Sequence, residues 1–345
     1  MKVTHSISIG IALFLCLGAA VYFTFGTDTS PKISLKEDAA SNTQDTVAPN
    51  TLMPTSSIQS NKTFIPPTGA AAKIVPNSAA ERRVLIATSP DGITFTGNGD
   101  ILSDQADVPD AVVTADGTIM VYYIGTGISA SGENTVVATS KDNGDSWIYS
   151  RLTYLDWPTQ REPSDPDVVL LPNGTFRMFY TGNVSSSRIG ISYADSTDGY
   201  TFTYKGVALS APFSVIDSTT FFWNNSWHML VLDMAKPLQY WATSTDGKTF
   251  MYDRIADEFG VGQDGYIMSN PLSTNDTITL FGFNIFKKNI RSFTSTTVDS
   301  WTLDDGVRFQ GTATSMLGGK HIQDSTVIAL DNGTYLLFYA TSIPK

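Results

Sequence analysis

Cysteine is all but missing from this chain: Cys16 is the only one in 345 residues, so neither an intrachain disulfide nor a cysteine-based metal cluster can form. Histidine is nearly as scarce. His5, His228 and His321 stand singly, without the spacing of a zinc site, and no other cluster points to a cofactor. Positive charge is the third shortage, with 22 Lys+Arg against 33 Asp+Glu and a net charge of −11. A nucleic-acid binder needs a basic footprint to displace counterions, so nucleic acid is excluded as a partner. Charged residues make up only 16% of the chain and hydrophobic ones 41%, enough apolar material for a sizeable core.

One long apolar run is present, residues 7–25, with Lys2 before it and Asp28 after it. It is long enough to span a bilayer, and the positive charge on its amino side favours an N-in orientation. The same run fits a cleaved signal peptide ending at the small residues Gly18, Ala19 and Ala20. Residues 1–26 are therefore expected to be a signal peptide or a signal anchor, and both readings export the rest of the chain to the cell surface or the medium. Contact with a membrane is expected only through this segment. Residues 27–78 are rich in Ser, Thr, Pro, Asn and Ala, with Phe64 the only aromatic. So little apolar area cannot offset ordering entropy, which predicts a disordered stalk of roughly 40 Å end to end.

The remainder, residues 79–345, repeats itself. One recurring piece is a strand ending in small polar residues, a tight turn and an aromatic. It reads ATSPDGITF at 87–95, ATSKDNGDSW at 138–147, ADSTDGYTF at 194–202 and ATSTDGKTF at 242–250, with a decayed copy, FTSTTVDSW, at 293–301. The serines Ser89, Ser140, Ser196, Ser244 and Ser295 follow one another at gaps of 51, 56, 48 and 51. Between these pieces lie hairpins opening at Asp110, Asp167, Asp217, Asn270 and Asp324. Asp116-Gly117, Asn173-Gly174 and Asn332-Gly333 read as type I′ turns within them. Four strands per period of about fifty residues is the signature of propeller blades. The chain's last hairpin lacks third and fourth strands, and an orphan pair, residues 83–89 and 94–97, stands at the other end of the folded region. Joining them predicts an all-β, five-bladed β-propeller closed by pairing of its terminal strands.

In a propeller the first strand of each blade lines the central channel. Asp110, Asp167, Asp217, Asn270 and Asp324 are thus expected to converge on one acidic funnel. Carboxylates from separate blades are what glycoside hydrolysis needs: a base or nucleophile, an acid, and a third group tuning them. Trp157, beside Pro158 in an irregular stretch, is placed to stack on a sugar. The expected partner is a carbohydrate ligand; nothing in the sequence specifies an oligomeric state.

The turn at residues 140–147 resembles the Asp-box of sialidases and other propellers, where it is a structural feature of the blade rim. More broadly, the chain resembles the five-bladed glycoside hydrolases of the arabinanase/β-xylosidase and invertase/levansucrase kind. The segment Pro109-Asp110-Ala111-Val112-Val113 stands where those families carry a first-blade base or nucleophile. Ile216-Asp217-Ser218-Thr219-Thr220-Phe221 is similar to their Ile-Asp-Pro-x-x-Phe segment. The resemblance implies Asp110 as base and Asp217 as modulator of the acid. It fails at the acid itself, because a Glu-(Gly/Ala)-Pro segment is replaced by Ser269-Asn270-Pro271, which has no proton to donate at neutral pH. Asp264, Glu258 and Glu162 are the candidate substitutes, and Glu162 is preferred because it directly precedes a funnel strand. Hydrolysis and non-catalytic glycan or protein binding are both open at this level.

Overall fold

The computed structural model describes residues 63–71, 78–126, 133–158, 163–236, 238–274 and 276–344. The apolar run, most of the expected stalk, and Glu162 lie outside the described residues. Among the described residues no helix is long and apolar enough to cross a membrane.

Strands β1 (Thr63–Phe64), β2 (Arg82–Ser89) and β3 (Thr96–Asp104) come first. The first full blade is β4 (Ala106–Val113), β5 (Ile119–Thr126), β6 (Glu133–Ser140) and β7 (Ile148–Arg151). After the short β8 (Thr153–Leu155), the second is β9 (Ser164–Leu170), β10 (Phe176–Asn183), β11 (Ile189–Ser196) and β12 (Thr201–Leu209). The third is β13 (Val215–Trp223), β14 (Ser226–Asp233), β15 (Gln239–Ser244) and β16 (Met251–Ile255). The fourth holds β17 (Ile267–Ser273), β18 (Ile278–Asn284), β19 (Asn289–Ser295), β20 (Thr302–Leu303) and β21 (Phe309–Gln310). Last come β22 (Gln323–Ala329) and β23 (Tyr335–Ser342), whose sheet has the order β22-β23-β2-β3. In that sheet β23 runs antiparallel to β2, in register from Arg82↔Ser342 to Ser89↔Tyr335. The molecule is an all-β five-bladed propeller.

The five inner strands β4, β9, β13, β17 and β22 touch in cyclic order, including β22 with β4. Apolar cores fill the spaces between consecutive sheets. Tyr122, Met178 and Phe202 pack blade one on two, and Phe179, Met229 and Phe250 pack two on three. Val84 and Phe338 of the last blade meet Val121 and Tyr123 of the first. Strands buried on both faces explain why their sequences carry so few polar residues.

Part of the expected stalk is bound to the propeller. β1 pairs antiparallel with β7, and Phe64, the lone aromatic of that stretch, packs on the core between the last and first blades. Gly69 donates its N–H to Asp104 Oδ2 at 2.5 Å, and Gln105 Nε2 donates to the Gly69 carbonyl at 3.1 Å. One apolar anchor and a few backbone and side-chain partners suffice to order a short segment.

The three Asx-Gly turns are not type I′. Gly117, Gly174 and Gly333 have φ of +79°, +81° and +82°, whereas Asp116, Asn173 and Asn332 do not have positive φ. Each closes as a type I turn with the glycine as a bulge, as in Gly117 N–H to Thr114 O at 2.9 Å and Thr114 N–H to Thr118 O at 2.9 Å. A two-residue turn with both residues left-handed joins β13 to β14 instead, at Asn224 (φ +48°) and Asn225 (φ +61°).

The repeated outer turns share one wiring. Ser89, Ser140, Ser196 and Ser244 each donate Oγ–H to the aspartate two residues on, at 2.7 to 2.9 Å, and accept the N–H of the turn glycine. Backbone N–H groups of the turn, with the serine hydroxyl adding to them, hold Asp91 and Asp246 below the ordinary carboxylate range; at Asp198 they outweigh burial, and the Ser146 and Ser140 hydroxyls hold Asp142 at about 2. Phe95, Phe202 and Phe250 plug the blades beneath. At Gly247 (φ +64°) an added Cβ would lie 2.6 Å from the Trp227 ring, while the carbonyl accepts from Arg177 Nη1 at 2.9 Å. Gly247→Ala is therefore expected to lower unfolding free energy by about 1–3 kcal/mol in urea titration.

Candidate functional site

Each inner strand carries one residue more than its partner requires. The pairing registers jump between Asp107 and Asp110, Ser164 and Asp167, Ile216 and Thr219, Ser269 and Pro271, and Gln323 and Ser325. The extra residue at the five bulges is Val108, Asp165, Asp217, Asn270 and Asp324. Four of them are left-handed: Val108 at φ +49°, Asp165 at +51°, Asp217 at +52° and Asp324 at +42°. Aspartate tolerates that region better than most side chains do, and strain concentrated at bulges re-aims what the strand presents. What it presents here is a pocket of about 50 Å³, lined by all five of these residues together with Asp110 and Asp167. That volume holds a few waters.

The five hairpin-opening residues expected to line a funnel do meet, but they are not equivalent. Asp217, Asn270 and Asp324 occupy the bulge, whereas Asp110 and Asp167 lie two residues beyond it. The difference sorts the carboxyl groups into two sets. Asp110 and Asp167 are buried, whereas Asp217, Asn270 and Asp324 keep part of their surface open although protein surrounds them closely.

In the buried set Asp110 is a strut. Its Oδ2 accepts the Val168 N–H at 2.5 Å, and its Oδ1 accepts from the Asn270 amide and from Thr326 Oγ1 at 3.3 Å. Asp167, 2% exposed, meets no donor in hydrogen-bonding geometry. Ser218 and Thr220 face it and pull its pKa down somewhat, yet neither hydroxyl reaches it squarely. Burial pushes Asp167 up to about 7. Burial and then the charge of Asp167 push Asp110 up as well. Two buried carboxyl groups this close cannot both ionise, so the pair holds a proton at neutral pH.

The second set centres on Asp217 and Asp324. Burial, followed by the charges of Asp165 and Asp324 and a hydrogen bond with Asp165, pushes Asp217 well above the ordinary range. Burial and the charge of Asp107 push Asp324 to about 7, against the opposing pull of Arg82 and Gln323. Gln323 Nε2 donates to Asp324 Oδ2 at 2.8 Å and to Asp107 Oδ1 at 3.1 Å, and Arg82 Nη1 pairs with Asp107 Oδ2. Crowded carboxyl groups in low dielectric cannot all ionise, so this pocket stores protons at neutral pH.

Other candidates fall elsewhere. Trp157 is not open to a ligand: it is 1% exposed and stacked on Tyr180 at 4.9 Å, with Tyr154 at 4.6 Å. The reason is β8, which pairs parallel to β12 and draws the indole between blades one and two. Asp264 points to solvent beside Lys287 at 3.6 Å, and Glu258 is also exposed, so neither lines the pocket. Asp165 and Asp107 escape a reading of the sequence. The Asp165-Pro166-Asp167 spacing, with proline after a left-handed aspartate, is the signal for the first of them.

No protein-family model matches the sequence, and no curated protein sequence matches it. Solved structures do resemble the fold. A thermostable family-43 glycoside hydrolase superposes with a TM-score of 0.53 at 13% identity, over 68% of this chain and 87% of that one. The endo-arabinase from Bacteroides thetaiotaomicron VPI-5482 gives 0.50 at 13%, over 69% and 94%. Sucrose-6-phosphate hydrolase from Lactobacillus gasseri gives 0.51 at 13%, over 70% of this chain and 54% of that one. At such identities the likeness is one of architecture: this chain shares the five-bladed propeller of glycoside hydrolases.

Proposed function

We propose that the protein is a carbohydrate-active propeller that hydrolyses glycosidic bonds of a poly- or oligosaccharide at the pocket between its inner strands. One observation carries the reading. Aspartates from separate blades meet there, with Asp167 and Asp324 each pushed up to about 7 and Asp110 and Asp217 raised beside them. Glycosidic cleavage needs a pairing of a protonated and an ionised carboxyl group at one pH. The terminal strands, paired in one sheet, hold the ring against opening, and residues 1–26 export it, as anchor or as signal.

A non-catalytic glycan-binding role is the second reading, favoured by Asn270 donating to Asp110 where an acid is expected. The test is to incubate the full-length protein with arabinan, xylan, fructan and mannan and follow reducing sugar. Turnover of one polymer supports hydrolysis. Binding without turnover supports the second reading, and neither binding nor turnover rejects both.

A further inference from the structure

Hydrolysis in this pocket, the reading just proposed, needs a proton donor, and the fourth blade offers only Asn270. We infer that Asp324, on the fifth inner strand, is the proton donor for the leaving oxygen. Three observations converge on it. It occupies the bulge of β22 in a left-handed conformation, φ +42°, that turns it into the pocket. It keeps solvent access, which Asp110, Asp165 and Asp167 lack. Its Oδ2 is pinned by Gln323 Nε2 at 2.8 Å, which makes Oδ1 the oxygen that presents the proton.

The groups facing Asp324 explain why it can hold that proton. Asp107 comes from β4, Asp165 from β9 and Asp217 from β13, while Arg82 from β2 is engaged by Asp107. Burial, with the charges of Asp107 and Asp165, outweighs the one paired guanidinium, and Asp324 titrates at about 7. A donor with a pKa near the working pH is the most effective kind.

The step balances. The Asp324 proton moves to the glycosidic oxygen as the bond to the anomeric carbon breaks, and the bonding pair stays on that oxygen. Water bonds to the anomeric carbon and gives its proton to the Asp165–Asp217 pair, whose shared hydrogen bond leaves one member ionised. Asp165 acts through Asp217 as a positioning residue.

The experiment uses the full-length wild type, Asp324→Asn and Asp324→Glu, on whichever polymer the wild type cleaves and on the dinitrophenyl glycoside of the same sugar. Asp324→Asn is expected to lower kcat/KM on the polymer by about 10²–10⁴-fold. The loss on the dinitrophenyl glycoside is expected to be far smaller, since its leaving group needs no proton. Asp324→Glu should retain polymer turnover with a displaced basic limb of the pH profile. Equal losses on both substrates, or full polymer turnover by Asp324→Asn, would overturn the assignment and leave the hydrolase reading standing. If Asp324→Asn does not fold, an unmoved basic limb in Asp324→Glu overturns it instead. A wild type inactive on every substrate removes the hydrolase reading and this assignment with it.

Discussion

Asp110→Ala is expected to destabilise the propeller by about 3–5 kcal/mol, although Asp110 is the residue that resemblance marks as a catalytic base. Its carboxyl ties β4 to three other inner strands, through Val168 on β9, Asn270 on β17 and Thr326 on β22. Truncation strands those donors in a buried setting, at about 1–3 kcal/mol each, and the relief of repulsion with Asp167 returns only part of that. At about 2–4 °C per kcal/mol for a domain of this size, the melting temperature should fall by roughly 6–20 °C. Thermal unfolding followed by circular dichroism reads this directly. A change below about 1 kcal/mol would mean that the inner strands are not tied through this carboxyl.

Stability should fall as pH rises from about 4 to about 7, the reverse of the usual acid loss. Asp167 and Asp324 have folded-state pKa values near 7 against 3.8 for the ordinary group, and Asp110 and Asp217 are raised too. A group raised on folding binds its proton more tightly in the native state. Its contribution is therefore whole below the unfolded value, is lost as pH climbs through the folded one, and is gone above it. A displacement from 3.8 to about 7 corresponds to about 4 kcal/mol for one desolvated carboxyl. The rim aspartates work the other way. Asp91, Asp142, Asp198 and Asp246 are lowered, so their contribution is present above 3.8 and is lost as pH falls through their folded values. Together these predict maximal stability near pH 4–5. Urea midpoints higher at pH 5 than at pH 8 would agree; midpoints that rise steadily with pH would contradict the buried-acid account.

The blades are legible in the sequence because each outer turn repeats a serine, an aspartate, a glycine and an aromatic at a period set by four strands. Ser140-Lys141-Asp142 and its counterparts carry their hydrogen bonds within a few residues, so local chemistry is enough to find them. The pocket is less legible. A bulge adds one residue without altering the alternation on either side, so Asp110 and Asp217 look alike in sequence and stand two positions apart in structure. Asp165 hides for the same reason, as the extra residue at the bulge of β9. Trp157 misleads because its burial depends on β8 pairing with β12, a contact across about fifty residues that no local pattern announces. Phe64 does the opposite: a single aromatic in a polar stretch marks where the chain rejoins the propeller.

Carboxyl groups of different blades share one desolvated pocket and keep protons at neutral pH. Carbon-13 NMR of aspartate-labelled full-length protein, titrated from acid to alkaline pH, measures this most directly. Two carboxyl signals should titrate near 7, one disappearing in Asp167→Asn and the other in Asp324→Asn. If every aspartate signal instead titrates below about 5, within the ordinary solution range, the pocket holds no such protons and the functional reading built on it is wrong.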